Sequence, residues 1–402
     1  MESDVEHNSH CGRSLCLALI LAGCSLAALP QNDQREAAFS LEHQGNTAAA
    51  EDAWRALATS EPRNPEPLAH LGLLEARQEH YTEAVQFYLK AMALDPAIPG
   101  LRFNLGLAYF KAGQYKDALR QFTPLLKTQP HVSDEADRLT VLMGMSHYGL
   151  GEYAAAAPYL KQAADRDARN LPLLLTLAHS CLLSQQYQCV LDAFHRIVAL
   201  NPDSAEAHVL AGEALDEMKE PVGAIRELRA AVAANPKEPN VHFGLGYLLW
   251  TQGQTQEAAH ELQAELESDP EHAQALLYLA DAYIQMNRLE DARPILEKVV
   301  KLNPASSMAH LDLGIVYAEA GRNDEALREL KTAEALKPDD VSAHYRLGRL
   351  YRAMGKTAEA KAEFDKSKSL NKAADEGLVK VMSRVPHPAG TPHATPPAPA
   401  KK

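Results

Sequence analysis

The chain has little that would let it carry out chemistry or cross a membrane. Aromatic residues make up 6% of its 402 positions, and there are five cysteines. Cations are outnumbered, with 40 Lys and Arg against 53 Asp and Glu. The resulting formal charge of −13 argues against nucleic acid as a partner, because phosphate binding needs clustered Lys and Arg. The uncharged stretch near the start, Ser14 to Leu29, has 16 residues, whereas a membrane-spanning helix needs about 20. Phosphate loops, paired nucleotide-binding glycines, nucleophile elbows and zinc-protease helices are all missing. The expectation is a non-catalytic protein with no cofactor and no metal.

What the chain does have is a period. Alanine recurs every 34 residues at Ala50, Ala84 and Ala118, and again from Ala156 through Ala224, Ala258, Ala292, Ala326 and Ala360, with Val190 the one interruption. A proline column runs from Pro62 and Pro96 to Pro304 and Pro338, and a glycine column includes Gly72, Gly106, Gly144, Gly246, Gly314 and Gly348. A period of this length marks stacked repeats, which add length without needing one central core. Within residues 65–98, Leu68, Leu71 and Leu74, then Ala84, Val85, Tyr88, Ala91 and Leu94, recur at three- and four-residue spacing. That predicts two amphipathic helices joined by a turn near Glu79. At the turn position other copies carry Gly45, Gly113, Gly151, Gly253, Gly321 or Gly355, and one carries Asn287, residues that accept a left-handed backbone. Residues such as Ser204 and Asp340 are placed to cap the following helix.

These columns resemble the tetratricopeptide repeat: a large residue, then Leu-Gly, Tyr, Ala, an aromatic or Leu, Ala and Pro. The pattern is nearly complete in Leu313-Gly314, Tyr317, Ala326, Leu330, Ala333 and Pro338. Ten copies cover residues 31–372. The resemblance implies an all-α protein, a right-handed superhelix of about ten helix pairs, with a capping helix expected at 373–385 and a Pro/Ala-rich, unfolded tail at 386–402. One irregularity lies between Pro130 and Gly144, where the spacing gains four residues. That is about one helical turn, read either as a bend or as a locally longer helix.

In tetratricopeptide proteins the first helix of each pair lines a concave groove. Carried over to this chain, the resemblance puts Phe243, Tyr247, Trp250 and Tyr278 there, flanked by Glu213, Asp216, Asp281 and Asp312. The spacing of four and three sets the first three on one helix face. Such a stripe suits an extended peptide or a sugar, or else serves inter-helix packing. On the last repeat Arg346, Arg349 and Arg352 recur every three residues and are candidates to grip a carboxylate or an acidic glycan. His208, His242, His310 and His344 share one column. Successive repeats stand about 8–10 Å apart, too far for that column to form a metal site, so these rings are expected to pack. Cys181 and Cys189 flank the fifth turn and are read as small apolar core residues, with a disulfide left open.

Leu21-Ala22-Gly23-Cys24, behind the apolar run, resembles the cleavage box of bacterial lipoprotein signals. The resemblance implies a signal peptide at 1–23, a lipid on Cys24, a tether at 24–30, and a periplasmic face, with Ser25 leaning toward the outer membrane. Glu2, Asp4 and Glu6 depart from the usual positive start of such signals. The alternatives are a soluble exported protein or a cytoplasmic adaptor. The expected function is a scaffold that binds a protein or peptide partner in envelope assembly, secretion or polysaccharide export, with a glycan-binding module as the alternative.

Overall fold

The computed structural model describes residues 31–128 and 133–382. The expected signal segment, Cys24, the tether, the tail and residues 383–385 lie outside the described residues. Among those described there are twenty helices and no strand. Contacts group the chain into two units, Met1–Lys219 and Glu220–Lys402, so the division falls between the two helices of the sixth repeat.

In the first unit the helices are α1 Gln31–His43, α2 Thr47–Ser60, α3 Glu66–Arg77, α4 Tyr81–Leu94, α5 Leu101–Lys111, α6 Tyr115–Thr128, α7 Asp134–Gly149, α8 Tyr153–Arg166, α9 Leu171–Leu183, α10 Tyr187–Leu200 and α11 Ala205–Glu217. The second unit holds α12 Pro221–Ala234, α13 Val241–Thr251, α14 Thr255–Ser268, α15 Ala273–Gln285, α16 Leu289–Leu302, α17 Ser307–Glu319, α18 Asn323–Leu336, α19 Val341–Ala353 and α20 Thr357–Met382. Within each unit every helix packs on the next, and several first helices also touch the first helix of the following repeat.

The ten turns inside the pairs share one backbone solution. Each passes through a left-handed residue: glycine at Gly45, Gly113, Gly151, Gly253, Gly321 and Gly355, and Glu79, Gln185, Lys219 and Asn287 in the other four. The chain therefore accepts strain of order 1 kcal/mol at those four positions to keep the turn. Serine and aspartate caps form where expected. Ser204 accepts from the Ala207 N–H, and Asp340 from the N–H groups of Ser342 and Ala343.

The small columns act by closeness. A Cβ placed on Gly314 would lie 2.7 Å from Leu330 Cγ and 3.2 Å from the Leu330 backbone nitrogen. Gly244, also helical, would meet only Leu228 methyls at 3.7 and 3.8 Å. Alanine is the better helix former by roughly 1 kcal/mol, but overpacking costs about 1–3 kcal/mol. Gly314→Ala should therefore lower the thermal unfolding midpoint, while Gly244→Ala should raise it slightly. Shifts of the same sign in both variants would refute the packing account.

The four inserted residues appear as length: α7 has 16 residues, with Ser133 capping it by accepting from the Ala136 N–H. Residues 129–132 lie outside the described ones. Ala168, standing where proline is expected, does not prolong α8, because Asn170 already caps α9 by accepting from Leu173 N–H. The separate capping helix expected at 373–385 is, as far as Met382, the continuation of α20, which runs unbroken for 26 residues. The sequence supplies no proline or turn pair near 372 to end it. The reading of Cys181 and Cys189 as separate residues is corrected: the structure joins them, with Cα atoms 5.9 Å apart. The tight turn brings the end of α9 and the start of α10 together, and Cys181 still sits in the apolar core.

Candidate functional site

The expected binding residues other than Cys24 all fall in the second unit. The first helices α13, α15, α17 and α19 lie side by side there, each in contact with the next. Phe243 is fixed from two sides. Asn240, at φ 60°, starts α13 without a side-chain cap, so the buried Glu265 of α14 accepts the Phe243 N–H instead, at 3.1 Å. The His272 ring lies 4.6 Å from the Phe243 ring. His272 Nδ1 caps α15 by accepting from the Ala275 N–H, so its proton sits on Nε2, which faces Asn240 Oδ1.

The four aromatics form one cluster across α13 and α15. Tyr278 stands 6.3 Å from Phe243, 5.2 Å from Tyr247 and 4.8 Å from Trp250, ring centre to ring centre. Trp250 Nε1 donates to Asp281 Oδ2 at 2.6 Å, and Gln285 Nε2 donates to the same oxygen. All four rings are half-buried. Phe243, Trp250 and Tyr278 also pack against the apolar core of the unit, whereas Tyr247 is not among the side chains packed on it. Packing and presentation to a ligand are thus combined, and Tyr247 leans most toward presentation. Burial, with the nearby Tyr247 hydroxyl, raises the pKa of Tyr278 above its ordinary value.

The next position in the row is Asp312 on α17. It is 5% exposed, and its Oδ2 has no hydrogen-bond partner. Burial foremost, and then Asp281, push its pKa up to about 8, while Arg346 pulls the other way. In the first unit Glu213 also has a raised pKa, caused by burial.

The three arginines separate. Arg346 and Arg349 line a cavity of about 200 Å³ with Ile315, Ala318 and Glu319, and Arg349 lies 3.8 Å from Glu319. Arg352 instead lies over the Phe364 ring at 5.5 Å. A spacing of three residues rotates about 60° around a helix at each step, which carries Arg352 off the face of Arg346.

The histidine column does more than pack. His310 Nδ1 bonds Glu329 at 2.7 Å and Nε2 bonds the Pro304 carbonyl at 3.1 Å. His344 repeats this with Glu363 and Pro338, and His242 pairs with Glu261. Sequence reasoning missed these partners, although a Glu lies 19 positions after each of the three. At His344 both ring nitrogens face acceptors, which suits the doubly protonated ring. Burial lowers its pKa, but the bonds to Glu363 and Pro338 outweigh this, and the net shift is upward. Glu334 also stands near His344, with its oxygen 3.9 Å from Nδ1. Both ring nitrogens are already bonded, so the arrangement reads as an ion pair.

Family profiles described as "Tetratricopeptide repeat" match residues 103–170, 243–307, 182–245 and 341–373, and one described as "TPR repeat" matches 72–113 and 316–355. Among curated proteins the chain is similar to "Anaphase-promoting complex subunit 6" of Arabidopsis thaliana, with 25% identity over 192 residues, covering 47% of this chain and 35% of that protein. The chain therefore spans about a third of that relative's length. Among solved structures it is similar to "MamA 41-end from Desulfovibrio magneticus RS-1" (22% identical, TM-score 0.40, covering 42% of this chain and 97% of that one). It is also similar to "YrrB: a TPR protein with an unusual peptide-binding site" (20% identical, TM-score 0.40, covering 47% and 98%).

Proposed function

The chain belongs to the tetratricopeptide-repeat family, and from that premise we propose that it is a non-catalytic scaffold whose second unit binds an extended segment of a partner protein along α13, α15 and α17. The observation that carries this reading is the half-buried aromatic cluster of Phe243, Tyr247, Trp250 and Tyr278, held at one edge by the Trp250–Asp281 hydrogen bond. Aromatic side chains offer large contact area at low conformational cost, which is why they dominate binding hot spots. The test is photocrosslinking in the cells that make the protein, with benzoylphenylalanine in place of Tyr247 and, as a control, of the exposed Val222 on α12. The expected result is a discrete protein adduct from position 247 and none from 222. Equal adducts from both, or none from 247, would refute the reading.

The place of action is proposed from the sequence. The Leu21-Ala22-Gly23-Cys24 box behind an uncharged run supports export and a lipid on Cys24, with the repeats facing the periplasm and the outer membrane as the favoured site. Envelope assembly, secretion or polysaccharide export are the processes such a scaffold would serve. Mass spectrometry of the mature amino terminus should find a diacylated or triacylated Cys24. An intact Met1 would overturn the envelope assignment and leave a cytoplasmic adaptor. The Arg346–Arg349 cavity keeps an acidic glycan as the second ligand class.

A further inference from the structure

The row of side chains along the second unit changes character from one first helix to the next. On α13 and α15 it is aromatic, and at the edge of the rings it becomes acidic, with Asp281 on α15 and Asp312 on α17. Asp281 is oriented, because Trp250 and Gln285 both donate to its Oδ2, which leaves Oδ1 for a ligand. Asp312 is the less usual group. A carboxyl that is 5% exposed and has an oxygen without a hydrogen-bond partner is costly in the free protein. Arg346, the nearby cation on α19, makes no hydrogen bond to that oxygen. Aromatic faces with carboxylates beside them are complementary to a cation. The ring quadrupoles attract it face-on, Asp281 gives a charge-assisted bond through Oδ1, and the nearby cation favours ionisation of the buried Asp312 carboxyl. The same surroundings repel a carboxylate, and an aliphatic side chain would leave Asp312 unpaired.

We propose that this stretch is a subsite for one basic residue, a lysine or arginine of the bound peptide, with its cation between the Tyr247–Trp250–Tyr278 rings and the carboxyl groups of Asp281 and Asp312. The inference rests on the groove reading above and adds the partner's chemistry to it. A cation held by Asp281 Oδ1 and the rings acts on the buried Asp312 carboxyl through its charge and favours the ionised form, so the free protein's cost becomes selectivity in the complex. Arg346 and Arg349, next along the row, keep a second basic residue of the peptide out of the adjoining cavity.

The test is selection from a random dodecapeptide library displayed on phage, using the full chain, Asp312→Asn and Asp281→Asn as baits. With the parent chain, Lys and Arg together should be enriched about fivefold over the input at one position of the selected peptides. Asp312→Asn should still select peptides but lose most of that enrichment. For the best synthetic peptide, replacing its basic residue with norleucine should weaken binding to the parent at least tenfold, followed through Trp250 fluorescence, and much less to Asp312→Asn. Peptides selected without basic enrichment, or enrichment unchanged in Asp312→Asn, would overturn this inference and leave the groove reading standing. Failure of every bait to select any peptide would remove both.

Discussion

Asp312→Asn is expected to raise the thermal unfolding midpoint at pH 8.5 by roughly 6–12 °C and to change it by no more than about 2 °C at pH 4. Burial pushes the folded-state pKa of Asp312 up to about 8, with Asp281 adding to the shift and Arg346 opposing it. In the unfolded chain an aspartate titrates near 4. Between those two values the folded protein holds a proton that the unfolded chain has released. Stability must therefore fall as pH rises from about 4 to about 8, and the loss is complete above that. At roughly 1.4 kcal/mol per pKa unit a difference of about four units corresponds to at most about 5–6 kcal/mol, of which relaxation and water penetration at the buried site leave about half, on the order of 3 kcal/mol. A domain of this size shifts by about 2–4 °C per kcal/mol. Asparagine keeps the shape and carries no charge, so it escapes the penalty where the penalty exists and does nothing where it does not. His344 contributes a slope of the same direction, since its raised pKa gives stability that is present at low pH and lost as pH rises through that value. That slope remains in the variant, so the difference between parent and variant isolates Asp312. A difference that does not change with pH would show that the carboxyl of Asp312 is not its source.

Removing the aromatic stripe should have the largest effect on binding. The combined Phe243→Ala, Tyr247→Ala and Trp250→Ala substitutions should weaken a selected peptide by more than about 100-fold, since single aromatic hot spots contribute about 2 kcal/mol or more. That variant alone is ambiguous, because Phe243 and Trp250 also pack on the core. Tyr247→Ala separates the two roles: Tyr247 contacts its aromatic neighbours but is not among the residues packed on that core. It should weaken binding about 10- to 30-fold while the unfolding midpoint stays close to the parent's. Unchanged peptide affinity in Tyr247→Ala would exclude the stripe from the binding surface. A large fall in midpoint with unchanged affinity would make the stripe a packing element.

Much of the architecture was legible in the sequence because repetition makes each signal visible several times over. The turn position could be read from six glycines, and the structure puts Glu79, Gln185, Lys219 and Asn287 into the same left-handed backbone. The glycine column was visible in the sequence, and the approach of Leu330 to Gly314 is the physical reason for it. Other features depend on neighbours that no local pattern specifies. The histidines occupy a column, but their partners lie 19 residues ahead and 6 behind, across a helix pair. The three arginines have a spacing that reads as one face, yet Arg352 turns to Phe364. Cys181 and Cys189 were ambiguous because their residue types suit a core and a bond equally, and the separation across the turn decided between them.

The sequence by itself determined the repeat, its period, its helix pairs and the family, because a contact made in every copy leaves the same residue types in the same column. It also marked the aromatic stripe, since spacing alone sets Phe243, Tyr247 and Trp250 on one face. Only the tertiary structure decided which of those rings the core holds, that Asp281 anchors Trp250, and that Asp312 is buried with an unpartnered oxygen. The physical reason is that desolvation and hydrogen-bond satisfaction are properties of a surrounding volume. That volume is assembled from three first helices, 34 residues apart in the chain and adjacent in space.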